Sequence, residues 1–198
     1  MAHIDYFLAP QSPYVYLAGR RPWEIAARHG ATLTVKPLDV AQLFPRTGGK
    51  VQAERHPSRN EYAAQDRVRQ ARKLGLPLDA DPVFRGANPA PASYAIIAAQ
   101  AAGGGDLAGL VAALARAMWA EGRDISEDEV IRPALAASGF PEDVADRGML
   151  MAADTYSANL EEAVLRGVFG VPFFITGEAR FWGQDRLDDL DAHLGGRL

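Results

Sequence analysis

An apolar run from Ile4 to Ala9 breaks at Pro10-Gln11, and Ser12-Pro13-Tyr14 follows at once with the signature of a helix start. The aromatic and aliphatic density of Ile4-Asp5-Tyr6-Phe7-Leu8 reads as a buried strand. Serine is a favoured N-cap, and proline fits the first helical position because the amide it lacks would have had no partner. Tyr14, Leu17, Ala18, Arg21, Ile25 and Arg28 recur at threes and fours, which predicts one helix from Pro13 to about His29. A strand that delivers the chain straight into a helix puts unpaired amides and the positive helix end beside the Ser12 hydroxyl. Such a place suits an anion, in particular a thiolate. The chain has no cysteine, so sulfur chemistry at this turn has to use a ligand's sulfur.

With 198 residues the chain has room for one domain, or one domain carrying an insert, at a prior of roughly 150 residues per domain. A formal charge of -4 and a pI near 5.6, with no basic cluster, give no support for binding nucleic acid or an anionic membrane. Asp5 interrupts anything resembling a signal segment and no apolar run is long enough to span a bilayer, so a cytoplasmic protein is expected. His3, His29, His56 and His193 have no ligand spacing, and no metal is expected.

Thr32 to Asp39 alternates and is rich in β-branched residues, which makes the opening a βαβ unit. Ala41 to Ser58 reads as a long loop, and Arg59 to Leu74 as a charged helix with Tyr62, Val68 and Leu74 inward, stopped by Gly75. After a proline-rich connector the pattern is helical: Ser93 to Ala102, Leu107 to Glu121, a capping box at Ser126-Glu129 for a helix to Ser138, then Pro141 toward Met151. A further helix runs from about Asp154 to Val168, before the apolar strand behind Gly170-Val171-Pro172 and a short strand at Arg180-Gly183. Asp185 caps a closing helix to Leu194. The expected organisation is α/β: a βαβ part with its following helix over 1–75, a helical insert over 76–153, and an αββα part over 154–198.

The order βαβ, helical insert, αββα is that of a thioredoxin-like fold interrupted by an all-helical domain. Ser12-Pro13-Tyr14 with Leu17-Ala18, Gly167 through Gly170-Val171-Pro172-Phe173, and Phe181-Trp182-Gly183-Gln184-Asp185-Arg186-Leu187 carry a resemblance along the whole chain. The sequence resembles the 2-hydroxychromene-2-carboxylate isomerase family, itself similar to kappa-class glutathione transferases and DsbA-like proteins. Redox relatives bear C-x-x-C at the strand-to-helix turn, where this chain has Ser12, so thiol-disulfide exchange is excluded.

The resemblance implies that Ser12 is the catalytic residue, donating a hydrogen bond to a glutathione thiolate; as a plain N-cap it would need no ligand. It implies a cis Val171-Pro172 bond that turns the Val171 backbone toward the cysteinyl unit. Gln184 and Asp185 fall at the γ-glutamyl end, Asp185 with the alternative role of a cap, and Arg59 replaces a lysine at the glycine carboxylate. The implied cofactor is glutathione, the implied substrate a small aromatic carboxylate, and the implied assembly a homodimer. The implied activity is isomerisation of 2-hydroxychromene-2-carboxylate to trans-o-hydroxybenzylidenepyruvate or a close analogue by reversible thiolate addition. A basic side chain would hold the pyruvate carboxylate, and the sequence singles out no arginine for it. The same site would serve a kappa-like transferase. In Thr47-Gly48-Gly49, Gly49 replaces an asparagine of the family, a departure that also fits a non-catalytic binding module. Asp5 is either a partner of the site or an outward residue.

Overall fold

The computed structural model describes residues 1–198, the side chain of Gln52 excepted. Strand β1 (His3–Leu8) runs parallel to β2 (Thr32–Pro37) on one side and antiparallel to β3 (Phe173–Thr176) on the other, and β4 (Ala179–Trp182) completes the order β2-β1-β3-β4. Alternation along β1 divides the interior. Ile4, Tyr6 and Leu8 enter the larger core with Phe174, whereas Phe7 packs on the opposite face with Leu38, Leu43, Leu160, Phe173 and Ile175. A strand buried on both faces reads as a continuous apolar run, which is why β1 shows no clean alternation in the sequence.

Helices cover both faces: α1 (Pro13–Ala18), α2 (Arg21–Arg28), α3 (Val40–Arg46), α4 (Pro57–Leu74), α5 (Ala90–Ala102), α6 (Leu107–Trp119), α7 (Asp128–Ala137), α8 (Val144–Leu165) and α9 (Leu187–Leu194). The helices of the expected insert do not form a core of their own, since Ile96, Leu114, Trp119 and Leu135 pack in one cluster with Ile4, Tyr6 and Leu17. Edge strand β2 is covered by α5. The Gln100 side chain accepts from the Val35 amide at 2.7 Å and donates to the Val35 carbonyl at 3.0 Å, standing in for a neighbouring strand.

Several expected elements change. The single helix from Pro13 to His29 is two, because Pro22 would lack the amide that bonds the Ala18 carbonyl and its ring would clash there. Gly19, at φ 55°, turns the chain, and α2 starts afresh at Arg21. The loop expected from Ala41 to Ser58 contains most of α3 and a 3₁₀ turn at Gln52–Glu54. Asp39 caps α3 by accepting from the amides of Ala41 at 2.8 Å and Gln42 at 3.3 Å, and Leu43 buries its face. On α4 the buried side chains are Arg67 and Ala71, while Tyr62, expected inward, is 65% exposed. Ser126 does not cap α7: its hydroxyl donates to Asp124 Oδ1 at 2.7 Å and Glu127 stands at the cap.

The helices expected on either side of residue 153 are one, α8, so the boundary drawn there falls inside a continuous helix. Gly148 within it is required by close packing, as a Cβ would come within 2.8 Å of the Ala98 Cβ on α5. Trp182 is half exposed against Phe169, with ring centroids 4.8 Å apart.

Candidate active site at the β1–α1 turn

Ala9 to Ser12 carry the chain from β1 into α1 through a tight turn, closed by the Ser12 amide donating to the Ala9 carbonyl at 2.9 Å. The Ser12 carbonyl accepts from the amides of Val15 and Tyr16, both at 3.1 Å, so its backbone opens the helix as the sequence requires. Its side chain does not follow. Ser12 is at the N-cap with 9% of its surface exposed, and its hydroxyl makes no cap bond. The backbone caps the helix and the hydroxyl is left to donate elsewhere. Of the first-turn amides, Val15 and Tyr16 bond the Ser12 carbonyl and Pro13 has none, so Tyr14 alone brings an amide that enters none of the described hydrogen bonds, ahead of the break at Gly19. Trp119 Nε1–H fastens the turn from α6 by donating to the Gln11 carbonyl at 3.1 Å.

The Val171-Pro172 bond is cis, as expected. Antiparallel register pairs Phe7 with Phe173, so the two residues before β3 lie alongside the end of β1 and the start of the turn. The Pro172 carbonyl accepts from the Gly183 amide at 2.9 Å, whereas the Val171 amide and carbonyl enter none of the described backbone hydrogen bonds. Beyond β4, the closing helix does not begin at Asp185. Gln184–Arg186 form a 3₁₀ turn and α9 starts at Leu187, so Asp185 is no cap; its exposed carboxylate accepts from Arg186 at 3.0 Å. Gln184 is buried and its Oε1 accepts from Arg21 Nη2 at 2.6 Å. A guanidinium only donates, so this bond commits the amide oxygen to Arg21 and turns the amide NH₂ away.

The profile of the DSBA-like thioredoxin domain matches residues 3–195, nearly the whole chain. The chain belongs to that family. This DSBA-like chain is similar to a 2-hydroxychromene-2-carboxylate isomerase of Pseudomonas putida, 27% identical over 197 residues that make up 97% of this chain and 94% of the relative. Among solved structures it is similar to a 2-hydroxychromene-2-carboxylate isomerase, with a TM-score of 0.81, 24% identity and coverage of 98% of this chain and 95% of that one. It is also similar to the cytosolic disulfide reductase DsbM of Pseudomonas aeruginosa with GSH, with a TM-score of 0.66, 21% identity and 98% of each chain covered. At these identities the two structures establish the thioredoxin-like fold alone.

In this DSBA-like frame Ser12, Val171 and Pro172 come from neighbouring strand ends, and Gln184 is tied to α1 and α2 through Arg21. Arg59 stands apart, exposed in the first turn of α4, and no described contact links it to the others. Arg21 also donates to the carbonyls of Leu17 at 2.9 Å and Ala18 at 3.3 Å. Its signal in the sequence was Pro22: a proline there frees carbonyls a turn earlier, and the adjacent arginine takes them. Gln11 and Arg67 were missed outright, having no periodic or motif signature. Hollows of about 240 Å³ beside Tyr156 and about 410 Å³ beside Val68 do not include Ser12.

Proposed function

We propose that the chain is a glutathione-dependent isomerase of an aromatic-degradation intermediate, converting 2-hydroxychromene-2-carboxylate to trans-o-hydroxybenzylidenepyruvate or a close analogue. The observation that carries the reading is the Ser12 hydroxyl, enclosed at a helix start yet making no cap bond. Near-full-length similarity to a protein named for that reaction supports the substrate. The donor set fits the cofactor. Ser12 would donate to an anionic sulfur and, with the one first-turn amide that enters no described bond, that of Tyr14, lower the pKa of a thiol. The Val171 amide and carbonyl offer strand-like pairing to a peptide unit. The Gln184 NH₂ would take an α-carboxylate and Asp185 an ammonium, while Arg59, exposed and apart from them, would have to reach a second carboxylate through its fork. Bound glutathione supplies the thiolate whose reversible addition turns a conjugated double bond into one that rotates. The same reading includes a cytoplasmic homodimer, for which exposed Leu165, Phe169 and Trp182 offer apolar surface; sedimentation of the purified protein checks the assembly.

Glutathione titrated into wild type and Ser12→Ala, with the thiolate absorbance followed in the same samples, tests the reading. Both proteins bind, only the wild type shows thiolate, and turnover of the chromene carboxylate falls about 10²–10³-fold in the variant, as for loss of one preorganised donor. Thiolate of equal intensity in the variant removes Ser12 from the mechanism. Consumption of glutathione in step with product makes the enzyme a transferase.

A further inference from the structure

Arg67 lies on α4 with 7% of its surface exposed, and no carboxylate among the described residues forms an ion pair with it. Its acidic neighbours are engaged elsewhere, Asp66 with Arg69 at 3.8 Å and Asp81 with Arg85 at 3.0 Å. Nη2 reaches the Ala80 carbonyl at 3.5 Å, the outer limit of a hydrogen bond, and Nε is buried without a partner. A guanidinium taken out of water is costly unless an anion or a full set of acceptors repays the desolvation, and here neither does.

Its surroundings lead to the turn. The guanidinium carbon lies 5.7 Å from the centroid of the Trp119 ring, and the Trp119 N–H holds the Gln11 carbonyl, one residue before Ser12. Gln11 Oε1 is itself buried without a partner. Tyr14, just past Ser12, stands in the field of both Arg67 and Asp66. Burial first, then the Asp66 charge, raise its phenol above the ordinary value. A positive fork over the buried Trp119 ring and the partly exposed Tyr14 phenol therefore lie next to the residues that flank the serine. The planar fork matches a carboxylate better than a point charge would.

We propose that Arg67, seated on Trp119, is the binding residue for the carboxylate of the substrate, an aromatic 2-oxo acid, beside Ser12. The ligand class rests on the isomerase reading; the unpaired buried guanidinium does not. The test uses 2-oxo-4-phenylbutanoate, which has no alkene to react, and its methyl ester. Each is titrated calorimetrically into the full chain, with and without glutathione.

Wild type binds the acid at least about tenfold tighter than the ester, the size of one charged hydrogen-bonding interaction. Arg67→Met abolishes that preference, leaves ester affinity within about twofold, and leaves glutathione binding and its thiolate signal in place. Arg67→Gln, closer in shape, gives the same loss should the methionine variant fail to fold. A wild type without acid-over-ester preference overturns the proposal, and so does a folded variant that retains it. Failure of glutathione to bind the wild type while the acid preference persists sinks the isomerase reading and leaves Arg67 standing.

Discussion

A single atom separates the two roles open to Ser12. An N-cap serine that bonds its helix stabilises it by about 1 kcal/mol, so a purely structural Ser12 would lose that on truncation. The hydroxyl makes no such bond, and Ser12→Ala is expected to change unfolding free energy by less than about 0.5 kcal/mol while removing the thiolate signal. The cap was legible in the sequence; the direction of its hydroxyl was not, because cap propensity is the same whether or not the side chain is used. Gly49 shows the converse. From sequence it is a lost asparagine, but in the structure a Cβ there would sit 2.8 Å from Phe44 Cδ1 and 3.2 Å from Phe44 Cα. Phe44 presses on this backbone and the Gly49 amide donates to its carbonyl at 2.8 Å. Placing asparagine there with Gly49→Asn is therefore expected to cost about 1–3 kcal/mol of overpacking, measurable by urea unfolding. An unchanged midpoint would mean that the Thr47-Gly49 turn is free to move.

Among the elements, the break between α1 and α2 is what sets Arg21 against Gln184. Periodicity ran through it because the apolar residues keep their spacing across Gly19, while Pro22 forbids a continuous helix. The break frees carbonyls that Arg21 then takes, and the same guanidinium orients Gln184 from the far end of the chain. Arg21→Met is expected to weaken glutathione binding about tenfold, with the thiolate signal at saturation unchanged, since Gln184 loses its fixed amide while Ser12 is untouched. Loss of the thiolate signal instead would show that Arg21 holds the turn and not the glutamine. The strands and the turn were readable because each is specified locally, by apolar density or by the serine-proline helix start, whereas the cis Val171-Pro172 bond was expected only from the family resemblance. The fusion into α8, the buried face of α4 and the pairing of Arg21 with Gln184 were not, since they depend on what another segment presents.

The molecule as a whole is pinned across one sheet face by ions. Asp5 on β1 meets Arg166 at the C-terminal cap of α8 at 2.6 Å and Lys36 on β2 at 3.4 Å, while Glu162 on α8 meets the same Lys36 at 2.6 Å and the same Arg166 at 2.7 Å. Asp5 is thus a structural tie between sheet and helix, which decides a question its position in the sequence left open. Burial alone would raise both carboxyls, but Arg166 and Lys36 outweigh it and hold Asp5 and Glu162 below their ordinary values. A carboxyl depressed in the folded state binds protons more readily when unfolded, so stability rises with pH through the acid range. The contribution is complete above the unfolded values near about 4 and is lost as pH falls through the lower folded ones. Asp5→Asn removes the tie and should cost about 1–3 kcal/mol at neutral pH, the range for taking a charged hydrogen-bond partner from a partly buried cluster. Thermal unfolding of both proteins across the acid range checks the sign. The gap between their midpoints should close as the wild type is acidified, whereas a gap independent of pH would mean that the asparagine acts through packing and that the ions do not hold α8 to the sheet.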